Sequence, residues 1–470
     1  MVNLEVPHWL IYATLVVYLA GFVLGLYSTF EARTPQGTTA WLLGLIFFPF
    51  IAIPLFIIFG KKRLDDYQTI EKKVEGLRRK FRGQLERFYV KDGLTPLEDF
   101  LTRSESNFVG GNTVDLLLNG EETFAEMLTA IAEAKSYICL QTFIFRTDGI
   151  GTEFAQALMK RAREGVKIYF LYENLGVEVD EKVIDAMRRS GIRIGEFPPV
   201  RRYKLHLNFR NHRKLLITDG QIGIFGGINI GDDYLGRYPE IGFWRDTNVR
   251  VEGPAVVQGQ IDFVKDWIWS QNSPVEIDWG EPRAAGDSAV LAMTSGPADV
   301  NHFNLLQHIE VINSSRRRLW IANPYFVPPQ GLVDALLIAK MRGVDVRVIV
   351  PTREKCDNKL CSTAAEVYLE KLAQSKIRVH RYTRGMMHQK VILIDDSLAI
   401  VGSSNLDFRS MYINFENAIA TNEPRFIASL EEAFHSDFKD SKECSCQDFE
   451  SIPIRKKLAS HFANCLAPIL

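Results

Sequence analysis

Two eight-residue stretches carry the side chains best suited to chemistry. His212-Arg213-Lys214-Leu215-Leu216-Ile217-Thr218-Asp219 and His388-Gln389-Lys390-Val391-Ile392-Leu393-Ile394-Asp395 share one pattern: His-x-Lys, four residues, then Asp. After six intervening residues each copy has a glycine (Gly226, Gly402), and three positions beyond it an asparagine (Asn229, Asn405). The copies stand 176 positions apart with identical internal spacing. Lysine supplies fixed positive charge, and histidine near neutral pH serves as a nucleophile or a proton donor. Together they suit an anionic, phosphorus-centred substrate, with Asn229 and Asn405 as further donors to its oxygens. A single copy would read equally well as a buried strand ending in a solvated His–Lys pair. Two complete copies leave that reading little room.

The runs from Leu215 to Thr218 and from Val391 to Ile394 are apolar and bounded by turns, which predicts buried strands. Alternate residues of a strand share a face, so His212 points with Lys214 and His388 with Lys390. Asp219 and Asp395 complete the motifs as candidate catalytic residues. Each stands an odd number of positions from its lysine and faces the other side, so holding the following turn suits it better than touching its own histidine. Other carboxylates should then orient the imidazoles. Asp246 and Glu416 are the candidates for this supporting role, 17 residues after Asn229 and 11 after Asn405. Surface ion pairing is the competing reading for both.

Around the motifs, helices expected over 121–134 and 154–164 alternate with strands over 137–145 and 166–172. The second half repeats the order, with a strand over 319–327, a helix over 332–342 and a strand over 344–350. Gly165-Val166-Lys167-Ile168 answers Gly343-Val344-Asp345-Val346. This predicts an α/β protein of two duplicated α/β/α lobes, each with a parallel, doubly covered sheet.

Both motifs resemble the signature of the phospholipase D superfamily, and the resemblance covers about residues 108 to 440. It implies that two such lobes build one active site between them. One histidine attacks phosphorus to form a covalent phosphohistidine; the other protonates the leaving alcohol and then deprotonates the incoming one. The near-symmetric pair does not disclose which histidine attacks; the working assignment is His212 as nucleophile and His388 as acid/base. The resemblance implies no metal and no cofactor, since Lys214, Lys390 and the imidazolium supply the positive charge.

The stretch from Gly111 to Glu121, the stretch from Gly227 to Gly236, and Arg245-Asp246-Thr247 ahead of Val251 to Val256 further resemble the bacterial cardiolipin synthases. That family implies transfer of a phosphatidyl group from one phosphatidylglycerol to the hydroxyl of another, releasing glycerol. With water or an ethanolamine lipid as acceptor, the same chemistry would be a phospholipase D or another transphosphatidylase. One phosphodiester replaces another, in keeping with the lack of any Gly-x4-Gly-Lys-Ser/Thr loop for a nucleotide.

Residues 8–30 and 40–59 hold no Asp, Glu, Lys or Arg. Each is long enough to cross a bilayer, which takes about 20 residues. They predict a multi-pass transmembrane hairpin within residues 1–63. Between 61 and 90 there are ten Lys/Arg against five Asp/Glu, which by the positive-inside rule sets the catalytic part on the cytoplasmic side of a bacterial inner membrane. This basic neck, 64–107, either touches anionic headgroups or forms a solvated linker helix. A first lobe over 108–270, a Pro/Gly/acid-rich linker over 271–287 and a second lobe over 288–440 follow. The tail, 441–470, has Leu458, Phe462, Cys465 and Ile469 at helical spacing, suited to packing on the domain or lying on a membrane.

Basic stretches precede both motifs, with Arg201, Arg202, Lys204 and Arg210 before the first and Lys376, Arg378, Arg381 and Arg384 before the second. They suit an anionic lipid headgroup or, alternatively, a solvated loop face. The formal charge of −1 gives no ground for nucleic acid as a partner, and the six cysteines show no zinc-like or redox spacing. A nuclease would have no use for a membrane hairpin, and a silent scaffold would be expected to lose motif residues, of which none is missing.

Overall fold

The computed structural model describes residues 7–31, 35–60, 65–90, 107–174, 178–198, 208–299 and 301–469. Its strands are β1 (Val109–Leu118), β2 (Tyr137–Thr142), β3 (Lys167–Glu173), β4 (Arg193–Phe197), β5 (Leu215–Thr218), β6 (Ile222–Gly226), β7 (Phe243–Arg245) and β8 (Thr247–Glu252) in the first half. The second half has β9 (Ser288–Ser295), β10 (Arg318–Ala322), β11 (Asp345–Pro351), β12 (Arg378–Tyr382), β13 (Gly385–Met387), β14 (Val391–Ile394), β15 (Leu398–Gly402), β16 (Glu416–Thr421) and β17 (Ser441–Cys444).

Fifteen of these strands form one sheet, in the order β4-β3-β2-β5-β6-β8-β1-β9-β16-β15-β14-β10-β11-β12-β17. From the β1–β9 seam outward, the two halves run through the same sequence of elements. The duplication read from the motifs therefore extends to topology. The apolar residues of β5 divide between two clusters: Leu215 and Ile217 pack with Phe225 and Trp267, while Leu216 packs with Phe154 and Phe170. Both faces are covered, as expected.

The sheet is mixed rather than parallel. β2, β3 and β4 run parallel, but β5 is antiparallel to β2 and to β6. The cause lies in the motif itself. Asp219 (φ 53°) and Gly220 (φ 65°) adopt left-handed conformations in the turn after β5, and Asp395 (φ 48°) does so after β14. A tight turn can only return the chain antiparallel, because a parallel return needs a crossover.

The neck is a helix, but a docked one rather than a solvated linker. Asp65–Leu85 is a helix whose Tyr67, Ile70, Val74, Phe81 and Leu85 are buried in a core to which both lobes contribute. It packs against the helix Val256–Gln271, with Phe81 on Trp279 of the interlobe linker at 4.6 Å. The apolar stripe at three- and four-residue intervals docks it, and the basic residues occupy the outer side. Residues 61–64 and 91–106 lie outside those described.

The first predicted span is one helix, His8–Glu31, long and apolar enough to cross a membrane. The second is not a single helix over 40–59. It divides into Pro35–Phe47 and Pro49–Phe59. Proline disfavours the helical conformation in the residue before it, and Phe48 indeed leaves the helix (φ −131°, ψ 50°). The first helix packs on both pieces, and Gly21 permits the approach, since a Cβ there would stand 2.3 Å from the Leu45 carbonyl oxygen. At the other end, β17 pairs with β12, so the second lobe runs past residue 440. The six cysteines are free, with Cys139, Cys356 and Cys361 buried.

Candidate active site

The two motifs meet at the pseudo-dyad of the sheet and are held there by exchange. The His212 amide donates to the Phe415 carbonyl, and the His388 amide donates to the Arg245 carbonyl. Beyond each carbonyl the next residue is the orienting acid. His212 Nδ1 lies 3.0 Å from Glu416 Oε2, and His388 Nδ1 lies 2.7 Å from Asp246 Oδ2. Each imidazole is therefore aimed by a carboxylate of the opposite lobe. With Nδ1–H donating to the acid, Nε2 is left with its lone pair. Lys214 and Lys390 both turn back on their own histidine carbonyls, at 2.7 and 2.6 Å. The pairs differ in one respect: Lys390 Nζ also lies 2.9 Å from His388 Nε2, and no described side chain hydrogen-bonds to Nε2 of His212.

Burial sets the electrostatics. It pushes the His212 imidazole down to about 4, with Glu416 opposing and Lys214 and Lys390 adding to the fall. His388 is lowered by burial and then by Lys390, against Asp246. Burial also lowers Lys390 to about 8 despite Asp246 and Asp357, and takes Lys214 well below its ordinary value despite Glu416. Burial opposes ionisation of the two acids, but the facing His–Lys pairs prevail and hold Asp246 and Glu416 below the usual carboxylate range. Lysines of both lobes act on His212, and acids of both lobes act on Lys214, so the two halves share one cleft. Such a cleft favours an added anion.

Comparison with known proteins fits this geometry. The family model for the cardiolipin synthase, phospholipase D-like domain, matches residues 127–267 and again 308–438. Cardiolipin synthase A of Pseudomonas putida (strain GB-1) is 33% identical over 99% of both chains. The chain belongs to the cardiolipin synthase family. The Pseudomonas aeruginosa (strain LESB58) cardiolipin synthase A is likewise 33% identical, over 97% of this chain and 95% of its own. Phosphatidylserine synthase of Haemophilus influenzae shares the fold, with a TM-score of 0.62 and 15% identity over 76% of this chain and 95% of its own.

In this family member the motif acids Asp219 and Asp395 do not reach the cleft. Asp219 accepts from the amides of Lys135, Ser136 and Tyr137 at 2.7–2.9 Å. Asp395 accepts from those of Arg316, Arg317 and Arg318 at 2.7–3.0 Å. They clamp the starts of β2 and β10 rather than the turn that follows, and so belong to the scaffold. Asn229 is not an open donor either: its amide donates to the Tyr234 hydroxyl and accepts from the Ile144 amide. The buried Asn405 keeps a side-chain oxygen without a hydrogen-bond partner among the described residues. Of the basic approach, Arg201, Arg202 and Lys204 lie outside the described residues. Arg210 pairs with Glu173, Arg378 with Glu443 and Arg381 with Glu366. These cations are committed to the protein rather than left for a headgroup.

Several site residues escaped the sequence reading. Arg213, inside the first motif, donates twice to Asp266 at 2.8–2.9 Å and once to the Glu416 carbonyl. Gln389, its counterpart, donates to Asp437 at 2.8 Å. Asp266 and Asp437 recur 20 and 21 residues after the two orienting acids, a regularity that could have marked them. Ser403 and Asn414 donate to Glu416. The equivalent of Ser403 is Gly227, where a Cβ would stand 2.8 Å from Asp246 Oδ1 and 3.2 Å from Lys390 Cδ. Rings close the cleft: Phe143 lies 5.1 Å from His212, and Trp244 4.9 Å from His388.

Proposed function

We propose that the exchanged His–acid pairs transfer a phosphatidyl group from one phosphatidylglycerol to another. The observation that carries the reading is the pairing of His212 with Glu416 and His388 with Asp246 across the lobes. His212 Nε2, neutral and without a hydrogen-bond partner among the described residues, attacks phosphorus. The bond to the glycerol oxygen breaks, and that oxygen takes, through His388 Nε2, a proton that Lys390 Nζ supplies from 2.9 Å away. Glycerol leaves. The primary hydroxyl of a second phosphatidylglycerol then gives its proton to His388 and attacks phosphorus, expelling His212. Lys214 and Lys390 balance the phosphate oxygens' charge throughout. The apolar helices and the basic neck support multi-pass insertion, with the lobes on the cytoplasmic side of a bacterial inner membrane.

Mass spectrometry of products from phosphatidylglycerol in detergent tests this. Wild type should yield a four-chain lipid and glycerol, unaffected by chelators. His212→Ala and His388→Ala should each abolish the product, and a wild-type rate in either would refute the two-histidine scheme. Feeding an ethanolamine lipid or omitting any lipid alcohol measures the competing acceptors.

A further inference from the structure

The helix Ile454–Cys465 has a second face that the fold does not use. At about 100° per residue, Ser460, Ala463 and Ala467 fall on one arc. All three are buried, on the side where the helix packs against Lys359–Gln374. Ile454, Leu458, Phe462 and Leu466 recur every fourth residue on an arc pointing away from it, and they are 69%, 52%, 74% and 42% exposed. A helix that packs once on its domain is expected to turn polar side chains outward. This one is apolar on both sides.

Charge indicates what covers the outer face. From Pro453 to Leu470 there are three cations, Arg455, Lys456 and Lys457, and no Asp or Glu. Lys457 is taken by Glu370 at 2.8 Å. Arg455 and Lys456 are exposed at the helix start, with Arg455 on the outward arc beside Phe462. An apolar stripe on a segment whose charged side chains are all cations is the composition of a helix lying in a membrane interface, and the phosphates of anionic lipids complement it.

We propose that Ile454–Cys465 lies in the headgroup layer of an anionic phospholipid bilayer. Its four exposed apolar side chains enter the acyl boundary, and Arg455 meets lipid phosphates. This rests on the reading that the chain works at a membrane, and it adds a contact distinct from His8–Glu31 and from the catalytic cleft.

The test uses the full-length chain in nanodiscs, with Cys444, Cys446 and Cys465 changed to Ser and a nitroxide on Phe462→Cys or, separately, Leu458→Cys. In discs containing phosphatidylglycerol, both labels should collide with oxygen in preference to a water-soluble nickel chelate. A label on the exposed Asp334→Cys should show the reverse preference. Discs of phosphatidylcholine alone should weaken the protection. Equal nickel access at 458, 462 and 334 would overturn the proposal. So would dipolar broadening between labels that is independent of lipid, which would make a second copy of the chain the occupant. No turnover is needed, so failure here is separable from failure of the transferase reading. As a second arm, Leu458→Glu/Phe462→Glu should raise KM on phosphatidylglycerol vesicles about tenfold, with kcat on short-chain micellar substrate unchanged.

Discussion

Lys390 touches the ring nitrogen of His388, whereas Lys214 does not touch that of His212, and pH should expose the difference. Lys390, lowered to about 8, loses its charge as pH rises through that value. His212, lowered to about 4, loses its lone pair to a proton only as pH falls through that value. The profile of kcat/KM should therefore be a bell with limbs near pH 8 and pH 4. A bound phosphodiester favours the cationic form of both groups, so both limbs should move to higher pH in kcat. Lys390→Arg, which stays charged, should remove the alkaline limb even if the rate falls; a limb that persists would acquit Lys390. The sequence pattern disclosed the histidines, the lysines and both acids. It did not disclose that each acid serves the other lobe's histidine, because spacing along the chain cannot distinguish two near-equivalent pockets.

Elements that looked like connectors position the site. Tyr67, on the neck helix, donates to Asp266 at 2.6 Å and packs on Phe415 at 4.7 Å. Asp266 fixes Arg213, and the Phe415 carbonyl receives the His212 amide. Tyr67→Phe keeps the ring and removes one hydrogen bond to a buried carboxylate, a loss of about 1.5–3 kcal/mol. If the neck positions His212, kcat should fall about tenfold with KM unchanged and the acid limb displaced. A lower Tm with unaltered kcat and pH profile would make Tyr67 merely structural. The apolar stripe of the neck helix is present in the sequence, but the charge of the segment dominates its composition and masks it. The three-residue strands β7 and β13, which pair across the lobes just before Asp246 and His388, are too short for any periodicity to reveal. The break at Phe48 was foreshadowed by Pro49, which the length of the apolar run outweighed.

Over the whole molecule, the exchange predicts that function groups by partnership instead of by lobe. Duplication was legible as repeated motifs, and the mixed sheet with its continuous β1–β9 seam was not, since strand direction depended on a turn and the seam on long-range pairing. A leaving group that departs as a stable anion tests the consequence. It needs no proton, so a defect confined to the acid should be rescued and a defect in the nucleophile should not. With a phosphatidyl ester of p-nitrophenol, His388→Ala and Asp246→Asn should recover a nitrophenolate burst. His212→Ala and Glu416→Gln should show none or a burst slowed in proportion to their loss on phosphatidylglycerol, expected at 10²–10⁴-fold for a positioned acid–base group. Each responding pair takes one residue from either side of the seam, since Asp246 sits beside β8 and His388 beside β14. Rescue of His212→Ala and Glu416→Gln instead would interchange nucleophile and acid while preserving the exchange. Rescue of Asp246→Asn with His212→Ala would mean that each acid serves its own lobe, against the 2.7 and 3.0 Å contacts that define the cleft.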